Sequence, residues 1–181
     1  MKPLVILRFV LFAAIAVLVL VAARANTASA HRSRISACGL ERWTVKTLQD
    51  RPSLLGVRRT TVVALTNLPA PAVLPDTRLP FERRVFRVVA RVVLIRPEAD
   101  SDLHLVLVDR GRTMIAEAPD PACAPGATPL RRRQMAAVRK AVRPCRAVVV
   151  GVGFFDFLHG QTGVAPNGVE LHPILGFRCL R

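Results

Sequence analysis

Gly151 to Pro173 reads GVGFFDFLHGQTGVAPNGVELHP, and the fold turns on how this stretch is divided. An apolar strand, Ala147 to Phe155, enters a long polar loop in which Gly160, Gly163 and Gly168 are turn formers, and a second strand leaves from Val169. Asn167-Gly168 is a strong turn signal immediately before that second strand. The chain therefore closes on two strands, and what precedes them sets the architecture.

Immediately upstream lies a helix. Thr128 is placed to cap it, Pro129 takes its first position, and Leu130, Met135, Val138 and Val142 repeat along one stripe to about Val142. Its other face carries Arg131, Arg132, Arg133, Arg139 and Lys140. Three strands come before the helix. The first, Arg83 to Arg96, sets Phe86, Val88, Ala90, Val92 and Leu94 on one face and Arg87 and Arg91 on the other. Leu103 to Asp109 and Thr113 to Glu117 follow.

Three strands, a helix and two strands is the order of an OB fold, a mainly β, five-stranded Greek-key barrel with one helix. An open α+β sheet shares that order. The interior is expected to hold Val148, Val150, Val152, Leu105, Leu107, Leu171 and Leu175, which would place Gly151 and Gly153 on the outer face.

The N-terminal part is different. Lys2 and Arg8 precede an uncharged run from Phe9 to Ala23 and the small-residue pattern ANTASA, which reads as a signal peptide over residues 1 to 30, cut after Ala30. The competing reading is a retained anchor, since Leu4 to Ala23 approaches a membrane-spanning length. Cleavage leaves 151 residues, enough for one domain and no stable membrane span. Residues 31 to 80 read as an extension laid on the domain at 81 to 181. Trp43 anchors this arm, Thr60 to Leu65 (TTVVAL) reads as a strand, and Pro69, Pro71, Pro75 and Pro80 mark an extended linker.

Together with CGLERWTVKTLQD (Cys38 to Asp50), DSDLHLVLVD (Asp100 to Asp109) and MIAEAPDPAC (Met114 to Cys123), the quoted stretch resembles a family of exported bacterial proteins of unknown function. The resemblance covers most of the chain after residue 37. It implies export, to the periplasm or beyond, and brings no activity, cofactor or catalytic residue with it.

The 181 residues carry 27 Lys and Arg against 12 Asp and Glu. Removing the leader takes away Lys2, Arg8 and Arg24 and no acid, so the mature charge is +12. Such a protein is drawn to polyanions, whether nucleic acid or an anionic surface. The compositional alternative is an Arg-rich coding bias.

Four cysteines, Cys38, Cys123, Cys145 and Cys179, lie in the exported part, where they can pair. The expected pairs are Cys123 with Cys145, flanking the helix, and Cys38 with Cys179. Thiolate metal binding is the weaker reading, because there is no C-x-x-C pair.

Catalytic signatures are missing: there is no Gly-rich phosphate loop, no H-E-x-x-H and no G-x-S-x-G. The enzyme class that keeps some shape is a metal-dependent phosphodiester hydrolase of nuclease type, with Asp100, Asp102, Asp109 and Glu117 as cation ligands. That is a fold-level analogy. The candidate binding residues come instead from alternation. Asp102 and His104 oppose the leucines of one strand, Glu170 and His172 oppose Leu171 on the last, and the Asp156 to Gly168 loop adds His159, Gln161 and Asn167. The expectation is a polar cluster beneath a folded-back loop, serving either to fasten it or to bind a ligand or metal. The loop mouth is acidic and amide-rich, so a polyanion would bind elsewhere, on the outer side of the first strand and on the helix.

Overall fold

In the computed structural model, which describes residues 38–181, one strand organises the sheet. The 14-residue β2, Arg84–Pro97, pairs through its first half with β5, Arg146–Phe155, and through its second half with β3, Leu103–Asp109. β3 runs into β4, Arg112–Ala118, through Arg110 and Gly111, both at positive φ, as a two-residue hairpin of primed type requires. β4 pairs in parallel with β6, Val169–Cys179, and β6 returns antiparallel to β5. The five strands close on themselves as the OB barrel. The signal peptide expected over residues 1 to 30 lies outside the described residues, and among those described no helix is long and apolar enough to cross a membrane.

The helix after β4, Pro129–Ala141, is capped as its sequence suggests: the Thr128 hydroxyl accepts from Arg131 N. Met135 and Val138 are buried, whereas Leu130 is 53% exposed and drops out of the expected stripe. The arm contributes the short helix α1, Trp43–Lys46, and a sixth strand, β1, Leu55–Arg59, added in parallel to β2. β1 is exposed along its length and shows no apolar alternation, so it gave no strand signal. The stretch TTVVAL is a helix rather than a strand. α2, Val62–Thr66, starts where the Thr61 hydroxyl accepts from Ala64 N, and it buries Val62 and Leu65 against the barrel. Capping and burial override the β preference of two adjacent valines. The helix after β4 is α3.

Leu105, Leu107 and Leu171 are fully buried in the barrel, together with Phe86, Val88, Ala90, Val92, Met114 and Ala116. The phase of β5 is the reverse of the expected one. Ala147 and Val149 face the barrel core, while Val152 and Leu175 pack outside it with Leu48, Val85, Ala127 and Met135. A Cβ on Gly153 would lie 2.6 Å from the Phe81 and Phe86 rings, so this glycine is an inward one. The strand misleads because both its faces are covered, one by the barrel and one by the arm and α3. On β6 the pairing slips twice between Val150 and Gly153, beside Pro173, which has no N–H for the ladder.

The disulfides are Cys38–Cys123 and Cys145–Cys179, with Cα separations of 5.4 and 5.9 Å. Both expected pairs are therefore wrong. Flanking one helix does not bring Cys123 and Cys145 together, because the 13-residue helix is itself about 20 Å long and a disulfide spans at most roughly 7 Å between Cα atoms. Cys179 instead lies in β6 one strand away from the start of β5, where Ala147 is its ladder partner.

Candidate functional site

On β3, β4 and β6 residues that alternate with the barrel core point to the outer face, and the titratable ones among them gather in one buried group. Asp102 comes from just before β3, His104 from β3, Glu117 from β4, Glu170 and His172 from β6. Two covers exclude water. The loop from Asp156 to Gly168 folds back, its ends tied by Asp156 N donating to Gly168 O, and Gly163 sits so close to Val106 that a Cβ there would be 2.6 Å from that side chain. The arm supplies Trp43, whose ring meets His172 edge-on at 6.4 Å and whose Nε1 donates to Cys123 O.

Beneath them His104 faces Glu117 Oε1 through Nδ1 at 3.1 Å and Thr162 O through Nε2 at 2.9 Å. His172 Nδ1 lies between Glu117 Oε2 at 3.0 Å and Glu170 Oε1 at 3.2 Å. Its Nε2 lies 3.1 Å from Asp102 Oδ2, close enough for charge attraction but off hydrogen-bond direction. Lys46 closes the group with a 2.6 Å contact to Asp156 Oδ2.

The electrostatics follow from this crowding. Burial lowers the His172 pKa, yet the contacts with Asp102, Glu117 and Glu170 outweigh it and the imidazolium is favoured well above the usual range. His104 is likewise raised against burial by Glu117, Thr162 O and Glu98. Burial pushes Asp102 up, partly offset by His172. Burial and the Glu117 charge push Glu170 up to about 7. Glu117 goes the other way: burial opposes its charge, but hydrogen bonds from both histidines hold it well below the ordinary carboxylate range. Lys46 stays charged despite burial because Glu170 and Asp156 are near.

Four of the seven candidate residues, Asp102, His104, Glu170 and His172, meet here. The other three do not. His159 is exposed and contacts Glu41 Oε2 at 2.9 Å, and Gln161 Oε1 accepts from His159 N. Asn167 fastens the loop to the end of α2, its Nδ2 donating to Leu65 O and Leu68 O. Glu117 belongs in the group, and its alternation with Ala116 and Ala118 was the available signal. Lys46 belongs as well, and Arg42 lies beside it. They are four residues apart on the α1 turn and both lie over the Phe154 ring, at 4.5 and 5.6 Å. Phe154 and Phe155 are buried, while Phe157 is 39% exposed.

Asp102, Glu117 and His172, or Glu98, His104 and Glu117, offer donor atoms within 4.8 Å of one another, the right types for a small divalent cation. In both groups the same atoms already face an imidazole or a carboxylate of the network. Asp100 and Asp109, the other two acids of the nuclease analogy, belong to neither.

A second surface lies on the far side of the barrel. Arg87 and Arg91 alternate with Val89 on β2. Arg59 pairs with Arg87, Arg146 with Arg91, and Arg178 on β6 with Val148 on β5, which itself pairs with Val89. Antiparallel partners share a face, so Arg87, Arg91, Arg146 and Arg178 form one ridge. Arg59 joins it, lining a shallow depression with Arg87 and Val89. None of the five side chains has a hydrogen bond or ion pair with a described residue. On α3 the expected basic face is reduced: Arg139 turns inward, donating to Ser101 O and Ala118 O, and Arg131 donates to Gln134.

No protein-family model matches the chain, and no curated protein matches it. Among solved structures, the chain is similar to an aspartyl-tRNA synthetase from Leishmania major Friedlin, at TM-score 0.43 and 13% identity over 67% of this chain and 20% of that one. It is also similar to the asparaginyl-tRNA synthetase of Entamoeba histolytica, at TM-score 0.41 and 11% identity over 68% and 23%. The chain spans about a fifth of the length of these enzymes, and the likeness carries no argument about activity.

Proposed function

We propose that this protein is an exported binding module, periplasmic or secreted, that holds a polyanion along the arginine ridge of β1, β2, β5 and β6. The observation that supports it is the row of unpaired guanidinium groups Arg59, Arg87, Arg91, Arg146 and Arg178 on one face. The usual oligonucleotide face of this fold, on the second and third barrel strands, corresponds to β3 and β4. Here it lies beneath the arm and the loop and is built of carboxylates. A polyanion is therefore directed to the opposite wall, where β2 alone sets Arg87 and Arg91 about 13 Å apart. Export is supported by two disulfides and a leader-like N-terminus.

Recognition of this kind rests on phosphate or sulfate contacts and is steeply dependent on salt and indifferent to sequence. The buried network, in this reading, fastens the arm and loop to the barrel. Hydrolysis of phosphodiesters is not favoured, because Asp102, Glu117 and His172 are closed to a substrate. Heparin and single-stranded DNA binding, followed from low to physiological salt, test the proposal. Arg87→Ser with Arg91→Ser should weaken both ligands and flatten the salt slope by roughly one to two units. Unchanged binding in that variant would refute it.

A further inference from the structure

Beside the ridge, a separate cavity of about 390 Å³ opens at the end of the barrel, a volume within the roughly 300–1,000 Å³ of small-molecule sites. Its walls are apolar: Leu65 from α2, Leu68 just beyond it, Phe81 from the turn before β2, and Phe86 from β2 itself. The Phe81 and Phe86 rings, 5.2 Å apart, are seated over Gly153, where no side chain fits. That seating leaves the space between them and α2 unfilled.

Charge enters this cavity at its lining alone. Arg58 and Arg84 line it, held together because Arg58 pairs with Phe86 and Leu55 with Arg84 across β1 and β2. Neither guanidinium has a partner among the described residues. Glu82, the nearest acid in sequence, is engaged by Arg42.

We infer that this cavity binds a small amphiphilic anion, an alkyl or aryl carboxylate whose apolar body lies against Leu65, Leu68, Phe81 and Phe86 and whose carboxylate is held by Arg58 and Arg84. An apolar pocket with a few convergent polar groups is the general form of such sites. Two arginines beside it supply the forked donors a carboxylate accepts. The inference does not depend on the ridge: Arg87 and Arg91 are not part of the cavity.

Calorimetry with monomeric octanoate, and with 1-octanol as the neutral counterpart, tests it on the full chain. Octanoate should bind, and octanol should bind about tenfold or more weakly, the difference that loss of a charged hydrogen bond implies. Arg58→Ala combined with Arg84→Ala should remove that preference, and Ala64→Trp, at an exposed lining position, should block both ligands with the circular dichroism unchanged. Arg87→Ser with Arg91→Ser should leave octanoate binding as it is. Absence of octanoate binding, equal binding of octanol, or an Ala64→Trp protein that binds normally would overturn the inference.

Discussion

Arg42 and Glu82 meet side by side, Nη1 to Oε1 and Nη2 to Oε2, both at 2.8 Å, with neither side chain more than 1% exposed. The rest of the guanidinium is also engaged, with Nε donating to Pro75 O, Nη1 to Phe155 O and Nη2 to Thr77 O. Glu82 in turn accepts from Leu79 N and Phe155 N. One ion pair thus joins the arm, the Pro-rich linker and the end of β5. Removing either partner leaves a buried charge without its counterpart. Arg42→Ala or Glu82→Ala is expected to lower the unfolding free energy by about 3–5 kcal/mol. In urea titrations the double variant should cost less than the sum of the two.

The buried network makes stability depend on pH in a defined direction. Glu170 is pushed up by burial and by the Glu117 charge to about 7 in the folded chain, against 4.5 for an unperturbed glutamate. Between those values the folded state holds a proton that the unfolded state releases, so stability falls as pH rises. His104 and His172 act the same way at higher pH. Their raised pKa values give stability that is complete below 6.5 and lost as pH climbs through the folded values. Glu117 is the opposite case, its contribution present above 4.5 and lost as pH falls through its depressed value. Urea midpoints should decline from pH 5 to pH 8, and Glu170→Gln should remove a slope of up to about 1.4 kcal/mol per pH unit between 4.5 and 7. A wild-type chain that is more stable at pH 8 than at pH 5 would contradict this.

Within the barrel, Leu107 is fully buried. Leu107→Ala should cost about 2–5 kcal/mol. Gly153→Ala tests the phase of β5 directly, because its new methyl meets the Phe81 and Phe86 rings. It should cost about 1–3 kcal/mol by overpacking. An outward Gly153 would accept the change with little effect.

Peptide mapping of the oxidised protein should recover Cys38 linked to Cys123 and Cys145 linked to Cys179. Replacing Cys38 and Cys123 together by Ser opens the longer loop, 85 residues of separation, and should remove about 4.5 kcal/mol in the chain-entropy account. Recovery of a Cys123–Cys145 peptide would refute the pairing.

The order of strands and the helix could be read because the barrel elements carry local signals, such as the Leu103, Leu105 and Leu107 repeat in β3 or Thr128-Pro129 at the start of α3. Alternation also located Asp102, His104, Glu170 and His172. It failed on β5, where valines occupy both parities and both faces are covered. It failed on TTVVAL too, where two β-branched residues mask a capped helix. What no local pattern can reveal is pairing at a distance. Arg42 and Glu82 are separated by 40 residues, and each reads as an ordinary surface charge until the fold brings them together.

The arm has one more consequence, and it is kinetic. Its fastenings reach far ahead in the chain: Arg42 to Phe155 across 113 residues, Lys46 to Asp156 across 110, Glu41 to His159 across 118. These three fastenings therefore cannot form until the fourth barrel strand and the loop after it exist. Ordering so many residues before such contacts can form is slow, and the barrel must close first. The oldest end of the nascent domain is the last to find its place, and until it does the histidine–carboxylate face stands open to water.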